Sequence, residues 1–140
     1  MTHKVLQPAE WARPKGYSNG IAARGTQVFI AGQIGWDAQQ KFTDERLAPQ
    51  VRMALKNVVR VLEEAGGRPE HIVRLTWYLT SRQDYLDQLP QIGAVYRDVM
   101  GRHYPAMSVV EVSALVERQA KVEIEATAVL PDPPSVLREI

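Results

Sequence analysis

The chain has 140 residues, 45% hydrophobic and 24% charged, the proportions of one soluble globular domain that can bury a core without metal or disulfide staples. Seventeen Lys and Arg against sixteen Asp and Glu leave a net charge of +1 with neither sign gathered in a block. That balance gives nucleic acid no electrostatic footprint, and the lack of cysteine excludes disulfides, thiolate catalysis and cysteine-ligated zinc.

In chain order, residues 1–16 are rich in proline and polar groups and predict an irregular N-terminal arm without an apolar signal core. Two β-favouring runs, Tyr17 to Ala23 and Gln27 to Ile34, flank Arg24-Gly25-Thr26, a spacing that predicts a hairpin with glycine at positive φ. From Pro49 to Glu64, Val51, Ala54, Leu55, Val58, Val59 and Leu62 recur at spacings of three and four, which predicts an amphipathic helix stopped by Gly66 and Gly67. His71 to Thr80 alternates as a strand, with Val73, Leu75, Trp77 and Leu79 on one face and Ile72, Arg74, Thr76 and Tyr78 on the other. Ser81 caps a second helical pattern through Tyr85, Leu89, Ile92, Tyr96 and Val99 to Gly101, with a kink or break expected at Pro90. Two strands follow, Met107 to Leu115 and Ala120 to Leu130, and the tail at residues 131–140 holds too many prolines for a regular element. The order β-β-α-β-α-β-β predicts an α+β fold in one domain, a sheet with two helices packed on one face. No window approaches the roughly 20 apolar residues of a membrane span, so the expectation is a soluble, cytoplasmic protein with no membrane or nucleic-acid partner.

Two segments carry more information than the rest: PAMSVVEV at Pro105 to Val112 and KVEIEATAV at Lys121 to Val129. Together with YSNG at Tyr17 to Gly20, IAGQIG at Ile30 to Gly35 and the first helix, they resemble the RidA (YjgF) family of enamine and imine deaminases over roughly Tyr17 to Val129. The resemblance implies a homotrimer of chorismate mutase-like subunits, with a mixed sheet closing into a trimeric barrel and small-molecule pockets between neighbouring chains. It also implies hydrolysis of a reactive enamine or imine to a carbonyl compound and ammonia, with no cofactor. Carried over by position, Glu123 matches the family's water-positioning glutamate, Tyr17 its pocket tyrosine and Gly32 a backbone contact to the ligand. Val109 matches the position whose backbone amide assists a substrate-binding arginine.

Two positions depart from the family's deaminases. Met107 stands where they carry the arginine that grips the substrate carboxylate, and Gly93 stands where they carry a pocket asparagine. Each charge-assisted hydrogen bond to a carboxylate is worth about 1.5–3 kcal/mol, so losing the arginine weakens capture of a small amino-acid-derived imine by orders of magnitude. The expectation is therefore a deaminase-like hydrolase of altered specificity. The alternative is a non-catalytic trimer of the same fold that binds a small metabolite or acts as a chaperone.

Glu123 and Glu125, two apart on a strand, share a face opposite Val122, Ile124 and Ala126, where like charges set up either a proton-transfer group or a solvated strand face. Met107 fits either an apolar pocket wall or core filler. Trp36 fits a pocket edge or, better, a subunit contact. Arg102 and His103 invite the role of a substitute cation, although complementing the end of the second helix suits them better. The three histidines lack metal-ligand spacing, no serine sits in a nucleophile motif, and no glycine-rich phosphate loop is present. A ribonuclease role, attached to some members of the family, has no basic aromatic face to support it.

Overall fold

The computed structural model describes residues 3–132. Its elements in chain order are β1 (His3–Leu6), β2 (Gly20–Ala23), β3 (Thr26–Ile34), α1 (Leu47–Glu64), β4 (Ile72–Leu79), α2 (Arg82–Asp87), α3 (Leu89–Met100), β5 (Ala106–Glu111) and β6 (Val122–Leu130). A four-stranded mixed sheet in the order β3-β6-β4-β5 carries α1 and α3 on one face, and β1 and β2 form a separate two-stranded ribbon. The α+β class follows directly. Among the described residues no helix is long and apolar enough to cross a membrane.

The helices follow the sequence periodicities closely. Leu47, Ala48, Val51, Ala54, Leu55, Val58 and Leu62 of α1 are buried against the sheet. This helix starts two residues before Pro49, because a proline in the first turn forfeits an N–H that has no intrahelical acceptor. Gly66, at φ 80°, ends it, and the Gly67 N–H returns to the Leu62 carbonyl at 3.1 Å. The second helical pattern is cut at Gln88 into α2 and α3, with Pro90 in the first turn of α3. The Ser81 hydroxyl caps α2 by accepting the Asp84 N–H at 3.1 Å.

The strands depart from expectation in several places, among them β5, which ends at Glu111 and not at Leu115. His3–Leu6 is a strand where the sequence predicts an irregular arm, and it pairs antiparallel with β2 from His3 opposite Ala23 to Leu6 opposite Gly20. The expected hairpin between β2 and β3 is therefore absent. Their link is a corner between two sheets, where Gly25, at φ 144°, passes so close to Leu130 that a Cβ would collide with its carbonyl oxygen. Ile72, placed on the polar face by alternation, is fully buried, because a register shift between Ile72 and Arg74 turns it toward the helices. Of the proline-rich tail, Pro131 and Asp132 carry no helix or strand, and residues 133–140 lie outside the described residues.

The core is formed by α1, α3 and the helix-facing residues of the sheet, among them Leu75, Trp77, Leu79, Val122, Ile124 and Ala128. The opposite face carries Thr76, Tyr78, Glu123, Glu125 and Thr127, half-buried, with nothing from the described chain packed over it as the helices pack over the core. Phe29 on that face is 73% exposed.

Candidate active site

The predicted site residues fall into two groups on opposite faces of one sheet. Tyr17, Gly93, Met107 and Val109 line a single cavity of about 340 Å³ on the helix side, at the sheet edge. Parallel pairing of β4 and β5 sets Met107 beside Leu75 and Val109 beside Trp77, so both point to the helix face. Tyr17 reaches them because the chain turns at Gly16, at φ 78°, and Ser18 then fastens it to the start of β5. The Ser18 N–H donates to the Pro105 carbonyl at 3.0 Å, and its hydroxyl donates to the Tyr104 carbonyl.

Glu123 and Gly32 form the second group. Glu123 projects from β6 onto the open face, opposite Ile34 of β3 and Tyr78 of β4. A bulge between Ile30 and Gln33 presses the backbone at Gly32 against it, so tightly that any Cβ there would collide with Glu123 Oε2. The carboxylate of Glu123 makes no hydrogen bond or ion pair with the described residues, whereas Glu125 accepts the Tyr78 hydroxyl. That bond, reinforced by partial burial, raises the Tyr78 pKa and keeps the phenol neutral. One carboxylate of the pair is thus held by a neighbour and the other is open to water.

The cavity has features that the sequence reading did not single out. Tyr85 and Tyr96 counted there only as apolar helix positions and Trp77 only as a strand residue, yet with Tyr17 and Tyr104 they bring half of the chain's ten aromatic residues to one wall. Trp77 meets Tyr85 edge-on at 6.2 Å and stacks on Tyr96 at 6.4 Å, and Tyr96 stacks on Tyr104 at 5.4 Å. Burial pushes the Tyr96 phenol well above its ordinary pKa, and its hydroxyl donates to the His103 carbonyl at 2.6 Å. The cations of the cavity are Lys15 and Arg97. Spacing held the one available signal, since Gly93 and Arg97 stand one helical turn apart on α3.

Arg102 and His103 do not serve this cavity. His103 contacts the Ile72 carbonyl at 2.7 Å through Nε2, and both residues line a different depression with His3, Glu70 and His71. Trp36 does not line this cavity, and its ring is tilted against Phe42 at 5.8 Å.

Residues 9–130 match the Endoribonuclease L-PSP family, the family of RidA and YjgF proteins. The chain belongs to the RidA family. A RutC family protein of Synechocystis is 35% identical, over 94% of this chain and 99% of its own. A protein of Salmonella typhimurium named 2-iminobutanoate/2-iminopropanoate deaminase is 33% identical, over 75% of this chain and 80% of its own. Among solved structures, a Rid-family protein of unknown function from Yersinia pestis superposes with a TM-score of 0.81 at 30% identity, over 93% of this chain and all of that one. A RidA from an Antarctic Psychrobacter superposes with a TM-score of 0.65 at 26% identity, over 91% of this chain and 99% of that one. RidA membership thus rests on sequence and fold together.

Proposed function

We propose that this RidA-family chain hydrolyses a small reactive enamine or imine to a carbonyl compound and ammonia, at a site completed by a second copy in a cytoplasmic homotrimer. The observation that carries this reading is the division of the site between two faces of one sheet. Glu123 and Gly32 lie on the face opposite Tyr17 and Met107 of the same chain, but a second copy whose β5 edge packs against the open face brings the groups together. The exposed Phe29 and Val110 on that face supply apolar area for such a contact. The Salmonella and human relatives named 2-iminobutanoate/2-iminopropanoate deaminase support the reaction class.

In the proposed reaction the imine lies against Tyr17, Met107 and Val109, with water on the Glu123 carboxylate of the neighbouring copy. Water adds to the C=N carbon while Glu123 accepts its proton and returns it to nitrogen. The C–N bond then breaks, ammonia leaves, and a carbonyl remains. Met107 offers no charge at the position where family deaminases hold the substrate carboxylate, so small imino acids are weakly captured and specificity shifts. A dehydratase that releases 2-aminoacrylate or 2-aminocrotonate provides the test. The native protein should accelerate loss of the derived imine weakly, and Met107→Arg should raise kcat/KM about tenfold or more by restoring a charge-assisted contact. Native activity on these imines equal to that of an arginine-bearing relative would overturn the specificity claim.

A further inference from the structure

The cavity beside Met107 is larger and more aromatic than a three- or four-carbon imino acid requires. Its walls are Trp77, Tyr85, Tyr96 and Tyr104, held in a continuous ring-on-ring cluster, and no carboxylate lines it. Its volume of about 340 Å³ lies within the range of small-molecule sites. A methyl or ethyl side chain would leave this wall without contacts, whereas an aryl ring would pack against it edge-on or offset-stacked.

Two cations define the polar end of the ligand. The guanidinium of Arg97 lies back over α3 at Gly93, where a Cβ would meet only Arg97 Nη1, at 3.4 Å. Neither Arg97 nor Lys15 makes an ion pair or side-chain hydrogen bond with the described residues, so the cavity has two cations without a protein anion. The absence of a side chain at Gly93, which removes one polar contact, also leaves that space to the guanidinium.

We infer that the cavity takes an aryl-bearing 2-imino acid of the 2-imino-3-arylpropanoate class, with its ring against the Trp77–Tyr96–Tyr104 cluster and its carboxylate on Arg97. Arg97 thus takes over from α3 the anion-binding role that Met107 lacks on β5. The inference deepens the deaminase reading and rests on it for the imine group, while the aryl and anion contacts stand on the cavity alone. The reaction that supplies such a substrate is oxidation of an aromatic amino acid at its α-carbon, which yields the imino acid directly.

A D-amino-acid oxidase makes the corresponding achiral imines from D-phenylalanine, D-leucine and D-alanine, and their hydrolysis can be compared with and without the native protein. The expected result is a kcat/KM for the phenylalanine-derived imine at least about tenfold above that for the alanine-derived one, with the leucine-derived imine between them. Arg97→Leu, at an exposed helix position, should raise KM about tenfold for the aryl imine with kcat largely kept. Calorimetric titration with 3-phenylpropanoate reads the same contacts without turnover. If no imine is hydrolysed but 3-phenylpropanoate binds and Arg97→Leu abolishes binding, the ligand class stands and the deaminase reading falls. If imines are hydrolysed with no preference for the aryl substrate and 3-phenylpropanoate does not bind, the ligand class falls and the deaminase reading stands. Binding of 3-phenylpropanoate that Arg97→Leu leaves unchanged also overturns the assignment.

Discussion

Glu123 and Glu125 are two residues apart on one strand and one face, yet their surroundings separate them. Tyr78 donates to Glu125, while Gly32 brings only backbone against Glu123 and leaves its oxygens open. A group that must exchange protons with water needs that openness. Glu123→Gln, nearly isosteric, should lower imine hydrolysis about a hundredfold or more with little effect on melting temperature, whereas Glu125→Gln should leave the rate near native. A steady-state comparison of the two variants on one substrate decides the point. Gly32→Ala provides a structural counterpart, since its Cβ must displace the Glu123 carboxylate, and it should lose activity with Glu123 still present.

His71 sets a pH dependence at the same scale. Partial burial holds its pKa below the ordinary 6.5, against the opposing pull of Glu70, and its Nδ1 accepts the Arg68 N–H at 3.0 Å. The unfolded chain therefore takes up this proton at higher pH than the folded one. The contribution to stability is fully present above about pH 6.5 and is lost as pH falls through the lower folded value. Denaturant midpoints measured at pH 7.5 and 5.5 should differ less in His71→Gln than in the native chain.

At the scale of elements, Gln50 of α1 joins that helix to the start of β6. It is 1% exposed, donates to the Asp44 and Gln119 carbonyls at 3.0 Å each, and accepts the Lys121 N–H at 2.7 Å. Gln50→Leu keeps the volume but leaves the Lys121 donor and two carbonyls without this partner, so a loss of about 1–3 kcal/mol in denaturant unfolding is expected. Gly93 lies in the interior of α3. Gly93→Ala should stabilise the fold by about 0.5–1 kcal/mol, because glycine is a poor residue in a helix interior. The added Cβ would meet only Arg97 Nη1, at an ordinary contact distance of 3.4 Å, so the melting temperature should rise with ligand binding kept.

For the whole molecule, the open sheet face decides whether one chain is enough. Phe29→Glu should disperse any assembly built on that face, seen as a fall in sedimentation coefficient to that of a single chain, with hydrolysis lost at the same time. Gly93→Leu fills the cavity and Glu123→Gln disables the other half, so each variant alone should be inactive. Mixing them under conditions that exchange subunits should restore up to about a quarter of the native rate, because random assembly rebuilds that fraction of sites with both halves intact. Absence of recovery after proven exchange would place both halves of each site in one chain.

The two helices, the core strands and the placement of Glu123 opposite Ile124 were legible in the sequence because they depend on local periodicity and capping. The motifs around Pro105 and Lys121 were enough to indicate the family. Tertiary structure alone decided that β2 pairs with β1, that Ile72 turns inward, and that Arg97 stands in the cavity beside Met107. Strand partners, bulges and cavity walls arise between residues distant in the chain, where no spacing rule applies. The same holds for the separation of Tyr17 and Met107 from Glu123, which follows from the two faces of a sheet assembled from non-neighbouring strands.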